Sequence, residues 1–422
     1  MIFNKYRLED ITDKIGDGIH GTPEYDDNGD YYFVNGNNLV DGDIVLKKDT
    51  KRINEEQYLK NKRDLNKNTL LVSINGTLGN VAKYNNEKII LGKSACYMNV
   101  KDEYNVDYVY FVFESPEFKK YLQYGANGTT IKNVPLSAIR NYEISIPSKE
   151  NQDKIVRILK SIEDKIKLNN KINNNLLEQC KSIYKEWFID YNFVIDGKKY
   201  KENNGKMIES ENGMIPEGWS FKRIDELDLD ISDGNYSSKY PTKQEFKTEG
   251  IPFVRGTDFD GYSISRKNLM YISPEKHEVL KKGHLKKNDI LITTRGEIGR
   301  IVFVSDYFID SNINAQLIRI NGDNRFPRSF LGMSLISDYV QNDIQSLVTG
   351  TALQQLPVGK FNQVKIIVPN DKNIIESFDS IVEISLKKIQ QNEEQNEILE
   401  QLRDTLLPKL MNGKIDLDNI EI

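Results

Sequence analysis

The sequence predicts an α+β fold in tandem: two copies of a mixed globular domain, each followed by a long helix, with the two helices pairing as an antiparallel coiled coil. Three observations predict it. The chain repeats itself once. Each copy alternates short β-type runs with turn residues. Each copy ends in a glycine-free stretch whose apolar residues step in a heptad-type pattern.

The repeat comes first, because it sets the domain plan. Asn75-Gly76-Thr77-Leu78-Gly79 reads like Arg295-Gly296-Glu297-Ile298-Gly299, 220 positions on. Gly128-Thr129 matches Gly350-Thr351, Pro135 matches Pro357, Pro147 matches Pro369, and Leu177-Glu178-Gln179 matches Leu399-Glu400-Gln401, all at 222. Asp17-Gly18 and Asp233-Gly234 sit 216 apart. Anchors in one order with so little drift mean a duplicated domain; solenoid periods are only about 20–50 residues. The resulting plan is a first domain at 1–147, its helix at 148–190, a polar linker at 191–214, a second domain at 215–369, its helix at 370–411 and a tail at 412–422.

Within each domain, runs such as Leu70-Leu71-Val72-Ser73-Ile74 and Ile290-Leu291-Ile292-Thr293 read as strands. Asp-Gly and Asn-Gly pairs punctuate them as turns. Tyr142 to Ile146 and Val364 to Val368 each read as a last strand, stopped by a proline.

In the first helix, Ile155, Leu159, Ile162, Ile166, Asn169, Asn173, Leu176, Cys180, Ile183 and Trp187 step by four and three. In the second, a matching polar middle from Gln390 to Asn396 precedes Leu399, Leu402 and Leu406. A helix of about 38 residues is about 57 Å long, too long to bury in one small domain. The other copy's helix is its natural partner; a homodimeric coiled coil is the alternative. Trp187 and Phe188 are expected to pack in the seam. The segment 189–214 is polar and reads as a linker, with local packing around Phe193-Val194-Ile195.

Composition excludes several classes. With 422 residues, 38% hydrophobic and 29% charged, the chain is neither disordered, collagenous nor a membrane protein. A net charge of −5 argues against a polybasic nucleic-acid binder but leaves room for a local basic face. Cys96 and Cys180 cannot make a disulfide framework. The opening MIFNKYRLEDIT lacks an apolar signal core, and a reducing cytoplasm is the expected compartment.

Catalytic signatures are missing. Gly92-Lys93-Ser94 resembles the end of a phosphate loop, but Glu87 stands where its first glycine belongs, so it reads as a turn at a strand edge. No Gly-x-Gly-x-x-Gly follows a strand. No Asn/Asp-Pro-Pro-aromatic tetrad of an adenine methyltransferase occurs, and Glu245-x-Lys247 is only half a nuclease pattern. The three histidines show no metal-ligand spacing: His20 lies in a Gly/Asp loop, and His277 and His284 are expected at the surface. No metal site is expected, and the sequence points away from an enzyme.

Two globular domains, each followed by a long helix, resemble the specificity subunit of type I restriction-modification systems. Ile144-Ser145-Ile146-Pro147-Ser148-Lys149-Glu150-Asn151-Gln152, followed by Ile155, Ile158-Leu159, Ile162 and Ile166, looks like that family's entry into its first conserved helix. Lys185-Glu186-Trp187-Phe188 looks like that helix's end, and Ile215-Pro216-Glu217-Gly218-Trp219 like the opening of the second target-recognition domain. Leu402-Arg403 with Leu406 to Asp416 resembles the C-terminal end. The second junction, Pro369 to Asn373, departs by lacking the Glu-Gln pair.

The resemblance implies a non-catalytic DNA-specificity subunit with no cofactor of its own. Its implied partners are double-stranded DNA, two methylation subunits that bind S-adenosylmethionine and methylate adenine N6, and two restriction subunits that use ATP and Mg. The implied target is asymmetric and bipartite, one half-site per domain, with the paired helices as the ruler between them. A scaffold with duplicated partner-binding domains is the competing class. DNA contacts are then expected on polar loop residues. These are His20, Thr22, Tyr25, Asn75, Thr77, Thr129, Thr130 and Lys132 in the first domain. In the second they are Asn235, Tyr236, Ser237, Tyr240, Arg295, Glu297, Thr351, Gln354 and Gln355. Asn and Gln suit adenine, Arg suits guanine, and Glu accepts from cytosine. Each loop could equally be a tight turn with satisfied hydroxyls.

Overall fold

A computed structural model describes residues 2–128, 132–195, 197–202, 205–236 and 239–417. The chain divides into two compact units, Met1–Leu168 with Gln395–Ile422, and Asn169–Glu394. Each unit holds one globular domain and a segment of both long helices.

In the first unit, Thr12–Asp17, Ala95–Val100, Thr69–Ser73 and Val81–Lys83 form an antiparallel sheet in that order. Successive strand residues point to opposite faces, and both faces are covered. Leu70, Val72, Cys96 and Met98 pack on Tyr108, Phe111, Phe118 and Leu122 of the helices Val106–Glu114 and Pro116–Gly125. Leu71 and Tyr97 turn the other way, onto Val34, Ile89 and Leu91 of a second sheet. That sheet runs Arg52–Ile53, Tyr31–Val34, Ile89–Leu91, its last pair parallel. Double coverage explains why the central strand is an unbroken apolar run. Asn4–Arg7 pairs with Glu143–Ile146, the strand that Pro147 stops.

The second unit has the same wiring. Its four-stranded sheet runs Asp230–Asp233, Leu317–Asn321, Asp289–Thr293, Ile301–Phe303. Its three-stranded sheet runs Met270–Ile272, Ile251–Val254, Asn312–Ile313, again with a parallel last pair. Ile290, Ile292, Ile318 and Ile320 face the helices Arg328–Ile336 and Asp338–Ser346, while Leu291 and Leu317 face Val254 and Ile313. Even the helix caps repeat: Ser115 accepts from the Phe118 N–H and Ser337 from the Val340 N–H. One replacement is large. Arg319 stands where the first copy has Tyr97, and its guanidinium lies 3.2 Å from Asp289 and 2.9 Å from Asp230.

The long helices are Lys149–Tyr184, continued by a wider π-helical turn at Lys185–Ile189, and Lys372–Met411. In the first unit, Ile155, Val156 and Leu159 share a core with Leu407, Leu410 and Met411. In the second, Leu177, Cys180 and Tyr184 share one with Phe378, Val382 and Leu386. Asn392 donates to Asn173 at 2.7 Å, and Tyr184 meets Phe378 edge-on at 6.0 Å. Residue numbers rise in one helix as they fall in the other, so the pairing is antiparallel. Trp187 and Phe188 are buried beside Phe378.

The seam differs from the sequence reading in its second half. Ile155, Leu159 and Ile162 are buried and Ile166 half-buried; after Asn169, Cys180 and Trp187 keep their expected buried places, but the layers between them move by one residue. Leu177 and Tyr184 take the core places expected for Leu176 and Ile183, which are half-buried. In the second helix Leu407 and Leu410 are buried, Leu399 and Leu406 half-buried, and Leu402 is exposed at 44%. The helical period of 3.6 drifts against a strict 3.5 repeat, and over five turns the drift moves the stripe.

Two further differences concern the junctions. The expected linker contains two hairpins, Val194–Ile195 with Lys198–Lys199 and Met207–Ser210 with Gly213–Pro216. Phe193 orders the first by stacking between Tyr200 at 4.7 Å and Trp219 at 4.9 Å. At the first helix entry, Gln152 is buried; its amide donates to the Pro147 carbonyl at 3.0 Å and accepts from the Asn105 N–H at 2.8 Å. The second entry lacks that glutamine and uses Asp371, which accepts from the Asn373 N–H. Among the described residues, no helix is long and apolar enough to cross a membrane.

Candidate nucleic-acid interface

In each unit, loops far apart in sequence are zipped together at one end of the four-stranded sheet. In the first, Asn75 and Asn127 both bridge to Asn133, the Gly76 N–H donates to the Lys132 carbonyl, and the Val134 N–H donates to the Ile74 carbonyl. In the second, Arg295 and Thr349 both bridge to Gln355, and the Leu356 N–H donates to the Thr294 carbonyl. Gly76 and Gly296 turn these loops with φ of 77° and 71°, which disfavours any residue with a Cβ. The side chains projecting from this shared frame differ. Asn75 donates to Asn133 at 3.4 Å; Arg295 donates to Gln355 at 3.0 Å. Thr77 and Glu297 are both exposed, the latter 3.5 Å from Arg300.

A third loop repeats as well. Gly18 packs so tightly that a Cβ would lie 2.0 Å from the Leu91 carbonyl oxygen; at Gly234 it would lie 2.2 Å from that of Asn314. Three residues after each Asp-Gly aspartate stands a ring. His20 is exposed and 2.7 Å from Asp17. Tyr236 is exposed and hydrogen-bonded to Asp233; burial raises its phenol pKa and Asp233 adds to this, against the opposing Arg295 charge. Tyr236 and Arg295, singled out separately in the sequence, therefore belong to one neighbourhood.

The remaining expected residues divide. Thr22 and Lys132 are exposed, and Tyr25 is exposed at 45% with the Lys51 ammonium 5.7 Å from its ring centre. Thr351 and Gln354 are exposed on the loop that holds Gln355. Asn235 is occupied in holding the Lys282 carbonyl at 2.7 Å, and Tyr240 packs edge-on to Phe253 at 5.5 Å. Thr129, Thr130 and Ser237 lie outside the described residues.

Sequence reasoning missed three things. Asn133 is the partner of Asn75, invisible without the bridge between their loops. Leu353 stands 87% exposed among the polar residues of its loop, an apolar tip of the kind that contacts a thymine methyl. His277, expected at the surface, is buried and stacked on His284 with ring centres 4.0 Å apart.

A domain present twice, with one loop frame bearing two sets of polar side chains and a helix pair shared between the copies, defines a duplicated recognition protein. The chain belongs to the type I restriction modification DNA specificity domain family, whose model matches residues 3–178 and 216–400. It is similar to the type I restriction enzyme HindI specificity subunit of Haemophilus influenzae, at 25% identity covering 76% of this chain and 81% of that one. It is also similar to the MjaIX specificity subunit of Methanocaldococcus jannaschii, at 27% identity covering 84% and 79%. The fold matches the crystal structure of the type I restriction-modification S subunit from M. genitalium, with a TM-score of 0.58 at 19% identity over 97% and 96% of the two chains. The chain is thus a DNA-specificity subunit, the recognition component rather than a catalytic one.

Proposed function

We propose that the chain reads an asymmetric two-part DNA sequence, one half-site per domain, through the zipped loops. The observation that carries this is the shared loop frame with unlike side chains: Asn75, Thr77 and Asn133 in one copy, Arg295, Glu297 and Gln355 in the other. Identical frames make the same approach to a groove, and different donor and acceptor sets select different bases. Arg295, fixed by Gln355, suits guanine; Asn75 and Asn133 suit adenine.

In this reading two methylation subunits and two restriction subunits assemble on the chain in the cytoplasm. S-adenosylmethionine, ATP and Mg belong to those partners, which flip the target adenine out of the stack and methylate N6. The exposed apolar side chains of the long helices support a docking role: Ile381 and Ile384 in one unit, Leu168, Ile398 and Leu402 in the other. The length of the helix pair sets the spacer between half-sites. The test is to exchange residues 1–147 for the corresponding domain of a family member with another target. One half of the methylated motif should change and the other stay. A motif altered in both halves, or in neither, would overturn the assignment.

A further inference from the structure

We propose that the second recognition domain binds one first-row divalent cation, of the zinc class, through His277, His284 and Asp310.

One ligand atom from each of the three residues lies within 4.8 Å of the others. His277 Nε2 is 3.5 Å from Asp310 Oδ1, and His284 Nδ1 is 3.9 Å from that same oxygen. Metal–ligand bonds of about 2.0–2.2 Å place two ligands of a tetrahedral zinc about 3.4 Å apart. The distances are close to those of coordination, but the two rings are stacked with centres 4.0 Å apart, so one imidazole must turn for both nitrogens to meet one ion.

The outer nitrogens fix which atoms face inward. His277 Nδ1 lies 2.5 Å from Asn312 Oδ1, and the Asn312 amide nitrogen is turned to the Leu280 carbonyl. His284 Nε2 hydrogen-bonds to that same Leu280 carbonyl. A carbonyl oxygen only accepts, so each of these ring nitrogens carries the hydrogen and donates. The opposite nitrogens, His277 Nε2 and His284 Nδ1, then present lone pairs toward a carboxylate oxygen. With both imidazoles neutral these are three acceptors directed at one another, which repel unless a proton or a metal cation lies among them. Imidazole ligands whose far N–H is held by a carbonyl are the usual outer arrangement of a metal site.

The frame is rigid where it needs to be. His277 lies in the last turn of the helix Pro274–Val279 and is buried, and Asn312 is wholly buried. His284 bridges to Asn312, and the Asp310 N–H donates to the Leu285 carbonyl at 2.8 Å. Asp310 is exposed, leaving a side open for water as a fourth ligand. The first copy lacks the set: by the matched helix caps and strand pairings, Tyr58 stands at the place of His277 and Lys88 at that of Asp310. The cation would pin the 280–285 turn, whose Lys282 carbonyl holds Asn235.

The experiment uses tag-free full-length chain, stripped with chelator and titrated with Co²⁺ and then Zn²⁺. The expected result is one Co²⁺ per chain with the visible ligand-field bands of a nitrogen–oxygen site, displaced by one Zn²⁺. Zinc at 100 times its dissociation constant should raise the folded-to-unfolded ratio about 100-fold, read as a higher Tm. Asp310→Asn, at an exposed position, and His284→Gln should fold, by circular dichroism, yet lose the bands and the zinc-dependent shift. Absence of stoichiometric uptake, or uptake unchanged in both variants, would overturn the proposal.

Discussion

Arg295→Ala separates base reading from everything else this chain does. Arg295 is exposed and, among the described residues, its one side-chain hydrogen bond is to Gln355 Oε1 at 3.0 Å. Removing such a side chain should change stability by no more than about 0.5 kcal/mol. A guanidinium held by one of its N–H groups still offers others for the O6 and N7 of a guanine, a pair worth about 1–3 kcal/mol of discrimination. That corresponds to about 5- to 150-fold in affinity for the correct site. The assay is binding of the variant, assembled with its methylation subunits, to a duplex library at fixed salt. Discrimination should relax at a single position of one half-site, with the other half-site unchanged. Arg295→Lys should recover charge but little discrimination, since an ammonium lacks the planar fork. A uniform loss across all sequences, with a salt slope shallower by about one, would mark a phosphate contact instead and rule out base reading by Arg295.

Other expectations follow from the packing. Arg319→Met strands the wholly buried Asp289 without its cation, at a cost of about 3–5 kcal/mol; thermal unfolding should show a Tm lower by on the order of 10 °C. Asn392→Leu leaves Asn173 without its 2.7 Å donor and should destabilise by about 1–3 kcal/mol, whereas adding Asn173→Leu should restore most of it in a denaturation cycle. Burial pushes the Asp107 carboxyl upward, but the Lys83 hydrogen bond and charge, with Lys160, outweigh it and hold its pKa below the usual value. Its folded pKa being depressed, the stability it adds is present above its unfolded pKa of about 3.9 and is lost as pH falls through the folded one. Asp107→Asn should therefore flatten the acid limb of the stability curve.

The repeat and both long helices were legible because they rest on local chemistry. Gly18, Gly76 and their counterparts at 234 and 296 answer to backbone contacts and φ angles that no other residue meets cheaply, so both copies keep them. Pro147 and Pro369 close the same strand twice. The heptad reading placed Cys180 and Trp187 in the core but took Leu176 and Ile183 for the layers that Leu177 and Tyr184 fill. Partnerships made by long-range strand pairing left no sequence signal. Asn75 meets Asn133 across 58 positions, and His284 reaches Asn312 across a sheet edge. Polarity singled out exposed loops but could not tell that Asn235 is spent on a backbone carbonyl or that Leu353 stands exposed.

In the proposed function this chain alone sets the DNA sequence that its system modifies, one half-site per domain. The most direct measurement is a single-molecule methylome of a methylation-free host expressing the methylation subunit with and without this chain. N6-methyladenine is expected at one asymmetric, gapped motif only when the chain is present, with one half of that motif relaxed by Arg295→Ala. A motif that appears without the chain, or none in a host where the assembled complex is present, would contradict it.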